Sequence, residues 1–179
     1  MRIAPLSQDH IPALEAHFRR HFAESGQDGD IIFMPYSPAS DQGPQAIDRE
    51  HFARDLSQPG WRRYWGLFDQ GGEIVGHIDV RTSALESMQH RCELGIGIER
   101  AFRGQGFGTQ LMLKVIEFAL AQPALCWLDL RVFGHNTAAR ALYRSLGFVE
   151  TANLPDMMRI NGQQIDDVWM TLAVDQSAT

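Results

Sequence analysis

Arg103-Gly104-Gln105-Gly106-Phe107-Gly108 follows a strand-like run over residues 92–98 and opens an amphipathic stretch over residues 109–121. Strand, glycine-rich turn and helix in that order build a cradle for an anion. Three glycines in six residues let the backbone turn tightly and come close to a ligand. The first amides of a helix have no acceptor within it, and they add to the positive end of the helix dipole, which suits a diphosphate. Arg103 would bring a fixed positive charge to the same place. Read alone, the hexapeptide could also be a bare turn.

Two other phosphate loops do not fit. A nucleoside-triphosphatase loop needs Lys and then Ser or Thr after its last glycine, whereas Gly108 is followed by Thr109 and Gln110. A dinucleotide fold wants the loop after its first strand, with an acidic residue on a second strand about twenty residues on. Here the loop lies past the middle of the chain, and Asp129 alone does not restore the pattern.

A second constellation follows. Val132-Phe133-Gly134-His135-Asn136 ends another strand, and Asn136 is placed to cap a helix over residues 137–146. On a 3.6-residue period Asn136, Ala139 and Tyr143 share one face, Leu142 and Leu146 lie beside it, and Arg140 and Arg144 point outward. Gly147-Phe148 stops the helix. By itself this is an N-cap with a core tyrosine.

Together, the loop and the later Asn136, Ala139, Leu142-Tyr143 and Gly147-Phe148 resemble the GNAT superfamily of acetyl-CoA-dependent N-acetyltransferases. The resemblance is close over about residues 61–173 and looser over the N-terminal third. It implies an α/β, GNAT-like fold: a twisted, mixed, mostly antiparallel sheet of about seven strands flanked by helices, with the fourth and fifth strands splayed. It implies acetyl-CoA as co-substrate, its pantetheine arm along the backbone of Ile96, Gly97 and Ile98. The diphosphate would sit on Arg103, Gly104, Gln105, Gly106, Phe107, Gly108 and Thr109, with Asn136, Ala139 and Tyr143 completing the cofactor side. No zinc-ligand spacing occurs and no metal is expected. Residues 90–96 and 166–170 resemble acetyltransferases of small molecules, amino acids or protein N-termini.

The reaction so implied is direct attack of an amine on the acetyl thioester. A protonated amine cannot attack, so a base or a water chain must take its proton, and the departing thiolate needs a proton donor. Tyr143 matches the family's tyrosine acid by position, and a phenol pKa of about 10 is near enough to a thiol's of about 8.5. A backbone amide near Ile96 would polarise the thioester oxygen. For the base, Glu93 is expected to face the cleft beside Gly95 and Gly97, with His77, Asp79 and His90 as rivals. The other reading is a non-catalytic acetyl-CoA-binding sensor or partner-binding module, and a different acyl donor is a third.

The chain of 179 residues is read as one domain. Acceptor-side elements are expected over roughly 1–60, the acetyl-CoA core over 61–152, and C-terminal strands to 173 with a short tail. No apolar stretch reaches membrane-spanning length and the first residues lack a signal peptide's apolar core, so the expected location is cytoplasmic with no membrane partner. Cys92 and Cys126 read as reduced core residues. A net charge of −6 argues against nucleic acid, whose phosphates need a basic face. Glu24, Asp28, Asp30, Asp41, Asp48 and Glu50 face only Arg49, either as a solvated loop or as a rim attracting amines. The partner is thus a small-molecule or peptide amine; homodimers are common in the superfamily, so a homodimer is an expectation too.

Elsewhere a strand is expected over residues 2–6 and a helix over 9–22 with Ile11, Leu14, Phe18 and Phe22 on one side. A loop with an apolar anchor, Ile31-Ile32-Phe33-Met34, spans 25–44, and a second helix 47–56. A hairpin of strands 61–68 and 73–81 precedes a connection over 82–89, and further strands cover 126–133, 147–152 and 164–173. The acceptor is expected where the N-terminal helices and the acidic loop meet a loop over 153–164, with Phe33, Tyr36, Trp61 and Trp65 as aromatic walls.

Overall fold

Alternating apolar residues and a tight turn at Gly72, whose φ of 85° is left-handed, make the first hairpin. The computed structural model describes residues 1–37, 43 and 46–174, so Asp41 of the acidic stretch lies outside the described residues. Within them the order is β1 (Arg2–Pro5), α1 (Ile11–Glu24), α2 (Arg49–Ala53), β2 (Arg62–Phe68), β3 (Ile74–Thr82), β4 (Arg91–Ile98), α3 (Phe107–Leu120), β5 (Trp127–Phe133), α4 (Thr137–Ser145), β6 (Val149–Ile160) and β7 (Gln163–Ala173).

The seven strands form one sheet in the order β1-β2-β3-β4-β5-β7-β6. Every neighbouring pair is antiparallel except β4 and β5. That parallel pair is short: Arg91, Cys92 and Glu93 face Trp127, Leu128 and Asp129, and beyond them the strands separate. The expected mixed α/β sheet with splayed fourth and fifth strands is the observed one.

Strand alternation divides the sheet into two faces. On one, Ile78, Val80, Leu94, Leu128, Leu130 and Met170 pack with Leu111, Met112 and Val115 of α3 and with Tyr143 of α4. On the other, Tyr64, Phe68 and Ile74 pack with Ile11 and Leu14 of α1 and Phe52 of α2.

Four expectations change. The buried stripe of α1 is Ile11, Leu14, His17 and His21, while Phe18 and Phe22 are only partly covered, because the sheet beneath presents His77 and Gly97 rather than an apolar groove. The second helix shrinks to α2, capped by Asp48, which accepts from Glu50 N and His51 N. Trp61 and Trp65 pack edge-on to Phe118 of α3 in the main core, on the face away from the acidic loop, and are no acceptor wall. The loop over 153–164 is a β-hairpin joining β6 and β7. Pro155 and Asp156 are tolerated because β6 is the sheet's edge strand and its register shifts between Leu154 and Met158.

Leu111 is wholly buried at the centre of the larger core. Leu111→Ala is expected to lower unfolding free energy by about 2–5 kcal/mol in denaturant titration.

Candidate active site

Where β4 and β5 part, the edge of β4 from Leu94 to Ile98 loses its strand neighbour on the β5 side. A cavity of about 550 Å³ occupies the gap. Ile96, Gly97 and Ile98 of β4, Arg103 and Gly108 of the loop, and Asn136, Ala139 and Tyr143 of α4 all line it. The structure thus brings together most of the residues expected to hold acetyl-CoA, from three separate segments.

The loop is built as an anion cradle requires. Gly104 and Gly106 have φ of 71° and 81°, and a Cβ on either would meet nothing within 4 Å, so their backbone is open. Gly106 is the N-cap of α3, and the first bond back to it comes from Gln110 N, which leaves the preceding amides of the first turn without helical partners. Gln105, exposed, bonds through its side chain to Ala101 O, and Phe107 packs into the core, so these two and Thr109 can contribute through backbone amides. Asn136 caps α4, its side chain accepting from Ala139 N at 3.2 Å. These features fit a diphosphate and an amide-rich arm, and acetyl-CoA when bound supplies an activated acetyl thioester.

Arg103 departs from the expectation. Its guanidinium donates to Asp30 Oδ2 at 2.5 Å, Glu24 Oε2 at 2.9 Å and Ile98 O at 2.7 Å, and lies over the Phe33 ring. Its charge is therefore engaged with α1 and the segment after it instead of standing free at the loop. Arg100 pairs with Asp28 and Asp30 and takes Glu24 on its backbone amide. Three acids of the supposed amine-attracting rim are thus occupied by two arginines.

Tyr143 is 6 % exposed, and its hydroxyl makes no hydrogen bond among the described residues. Burial pushes it up to about 12, which keeps it protonated and able to donate at any working pH. Glu93 is not in this cavity. It pairs across the strand with Arg81, which also binds Asp79, and lines a second cavity of about 460 Å³. That cavity lies on the face of α1 and α2, around Arg81, Arg91, Glu93, Asp129, Arg131 and Trp169, and Arg131 lines both cavities.

Of the rival bases, Asp79 is 2 % exposed and held by Arg62 and Arg81, while His90 is exposed at the far end of β4. His77 is buried behind Gly97, and His17 Nε2 lies 2.9 Å from its Nδ1. Cys92 is buried and its thiol is raised to about 12 by burial, as suits a core residue. Sequence reasoning missed His21, Asp30 and Met34 in the donor cavity and Arg131 at the junction. The one signal for His21 was its position four residues after His17, on the buried stripe of α1.

With this geometry in view, the comparisons with known proteins are direct. Residues 30–148 match the acetyltransferase (GNAT) family. The chain belongs to that family. It is 32 % identical over 115 residues to the N-alpha-acetyltransferase RimI of Mycobacterium tuberculosis, which covers 62 % of this chain and 66 % of that protein. It is 25 % identical over 130 residues to the L-amino acid N-acetyltransferase AaaT of Escherichia coli, covering 72 % and 78 %. The fold superposes with a TM-score of 0.75 on yncA from Salmonella typhimurium, solved with its cofactor acetyl-CoA, at 18 % identity over 100 % of this chain and 96 % of that one. This GNAT acetyltransferase uses acetyl-CoA as its acyl donor. Among the described residues no helix is long and apolar enough to cross a membrane.

Gly106→Ala places a Cβ on a left-handed residue at a strain of about 1–2 kcal/mol. In calorimetric titration it is expected to weaken acetyl-CoA about tenfold, equivalent to about 1.4 kcal/mol.

Proposed function

We propose that this acetyltransferase moves an acetyl group directly from acetyl-CoA to the primary amine of an amino acid or a peptide N-terminus. The observation that carries this reading is the meeting, in one cavity, of the open edge of β4, the α3 loop and the Tyr143 hydroxyl. Open strand amides can hold an amide-rich arm, the loop a diphosphate, and the phenol can return a proton to the departing thiolate.

The acceptor class follows from the second cavity. Arg131 lines both cavities, so an acceptor lodged in the second adjoins the donor cavity. The second cavity's walls carry three guanidiniums, those of Arg81, Arg91 and Arg131, paired with Asp79 and Glu93, with Asp129 and with Asp167 respectively. A guanidinium has five donors, so these pairs leave some for a carboxylate or peptide carbonyl on the amine that is acetylated, which a polyamine or aminoglycoside lacks. The loss of Glu24, Asp28 and Asp30 to Arg100 and Arg103 removes the main attraction for a polycation. The relatives named for N-alpha and L-amino acid acetylation agree with this choice.

Thiol release from acetyl-CoA, followed against amino acids, short peptides, polyamines and aminoglycosides, tests the proposal. Release with the first two classes and not the last two is the expected outcome; release with polyamines alone would reverse the assignment. Tyr143→Phe is expected to lower kcat about 100-fold while the rise in unfolding temperature on adding acetyl-CoA is kept. Unchanged turnover in that variant would remove Tyr143 as the acid.

A further inference from the structure

His21 is 8 % exposed and lines the donor cavity from α1, while Tyr143 lines it from α4. Neither ring nitrogen of His21 makes a hydrogen bond among the described residues, and Nδ1 is fully enclosed. Its neighbour His17 makes the contrast plain. There Nδ1 meets Glu99 Oε1 at 2.8 Å and Nε2 meets His77 Nδ1 at 2.9 Å, so both positions are used. Nδ1 is shut away beside Glu24, so Nε2, which makes no hydrogen bond, is the nitrogen left for a partner that enters the cavity.

The ring is held in place from several sides. It stacks on Phe33 with centroids 4.6 Å apart and lies parallel to His17 at 5.7 Å. At Gly97 a Cβ would stand 2.6 Å from His21 Nε2 and 2.7 Å from His77 Cε1, so glycine there is what lets the imidazole reach the backbone of β4. Nδ1 is 3.7 Å from Glu24 Oε2, the nearest acid. A proton on Nδ1 facing Glu24 leaves the Nε2 lone pair beside Gly97, on the α1 face of β4 where the cavity begins.

We propose that His21 is the base of the transfer reaction, taking the proton of the attacking amine through Nε2. The inference rests on the reading of this cavity as the acetyl-CoA site. As the amine nitrogen forms its bond to the acetyl carbon and the carbon–sulfur bond breaks, the N–H proton passes to His21. Tyr143 gives its proton to the thiolate, and solvent restores both residues.

The charged and titratable groups around the ring are His17 and Glu24 on α1, His77 on β3, Asp30 after α1 and Arg103 after β4. Burial, then His17 and Arg103, lower the His21 pKa to about 3 against the opposing pull of Asp30. The imidazole is therefore unprotonated at neutral pH and ready to accept. A base this weak suffices because the nitrogen's proton becomes far more acidic as the carbon–nitrogen bond forms. His17, His77, Glu99 and Arg20 act as positioning residues: Arg20 bonds both Glu99 and Ile74 O and so ties the histidine pair to β3.

The test uses His21→Asn, His21→Phe and His21→Ala in the full chain. Phenylalanine fills the space and can stack on Phe33, so it controls for packing. Folded variants are expected to lose about 100-fold or more in kcat with an amino-acid acceptor while acetyl-CoA still raises their unfolding temperature as in the wild type. Added imidazole is expected to restore part of the rate of His21→Ala, and the residual rate to climb with pH. Turnover within about threefold of wild type in any folded variant overturns the proposal. So does loss of the acetyl-CoA effect in all three, which would make His21 part of the binding wall. If the wild-type protein itself is not stabilised by acetyl-CoA, the reading of the cavity fails instead, and that outcome is distinct.

Discussion

Three parallel residue pairs, from Arg91–Trp127 to Glu93–Asp129, are the only strand pairing among the described residues between one half of the sheet and the other. Both strands continue well past the last pair, so backbone groups that a sheet would satisfy are left facing one another across a gap. Such groups need a partner. The larger core holds the gap open, because α3 and α4 pack on the inward residues of both strands and keep them apart as rigidly as it holds them together. The cavity depends on that early separation, and with it the proposed seats of the cofactor arm and of the Tyr143 acid.

Charge organises the rim in a way that net charge does not reveal. Arg100 and Arg103 leave the segment after β4 and reach back to Glu24, Asp28 and Asp30, fastening α1 and the stretch after it beside the glycine loop. Partly buried pairs of this kind are worth more for placement than for stability. The same fastening sets Phe33 against His21 and brings Ile32 onto Ile160 and Ile165 near the turn between β6 and β7. The N-terminal segment thereby meets the C-terminal strands, although at a hairpin and not at the loop expected over 153–164.

The parts that were legible are those whose signals are local. The glycine loop, the Asn136 cap and the first hairpin each depend on backbone geometry that a few neighbouring residues dictate, and each lies within a residue or two of its expected place. Asn161-Gly162, with φ of 51° and 78°, makes the turn of the last hairpin, which the reading of residues 153–164 as a loop passed over. The residues misjudged were those whose role depends on what lies opposite. Trp61 and Trp65 could line a ligand site or a core, and Phe118 decided. Glu93 was on the expected face of β4, but Arg81 across the strand captured it.

By itself the sequence determined the family, the order of elements and the acyl donor, because a left-handed glycine pair before a helix and a capped helix bearing Tyr143 are properties of short contiguous stretches. Only the tertiary structure decided which charges are paired, that Arg131 lines two cavities, and that His21 lines Tyr143's cavity without a hydrogen bond among the described residues. Those facts depend on distances between residues far apart in the chain, from His21 on α1 to Gly97 on β4 and Tyr143 on α4. Such distances are set by packing, which no local pattern records.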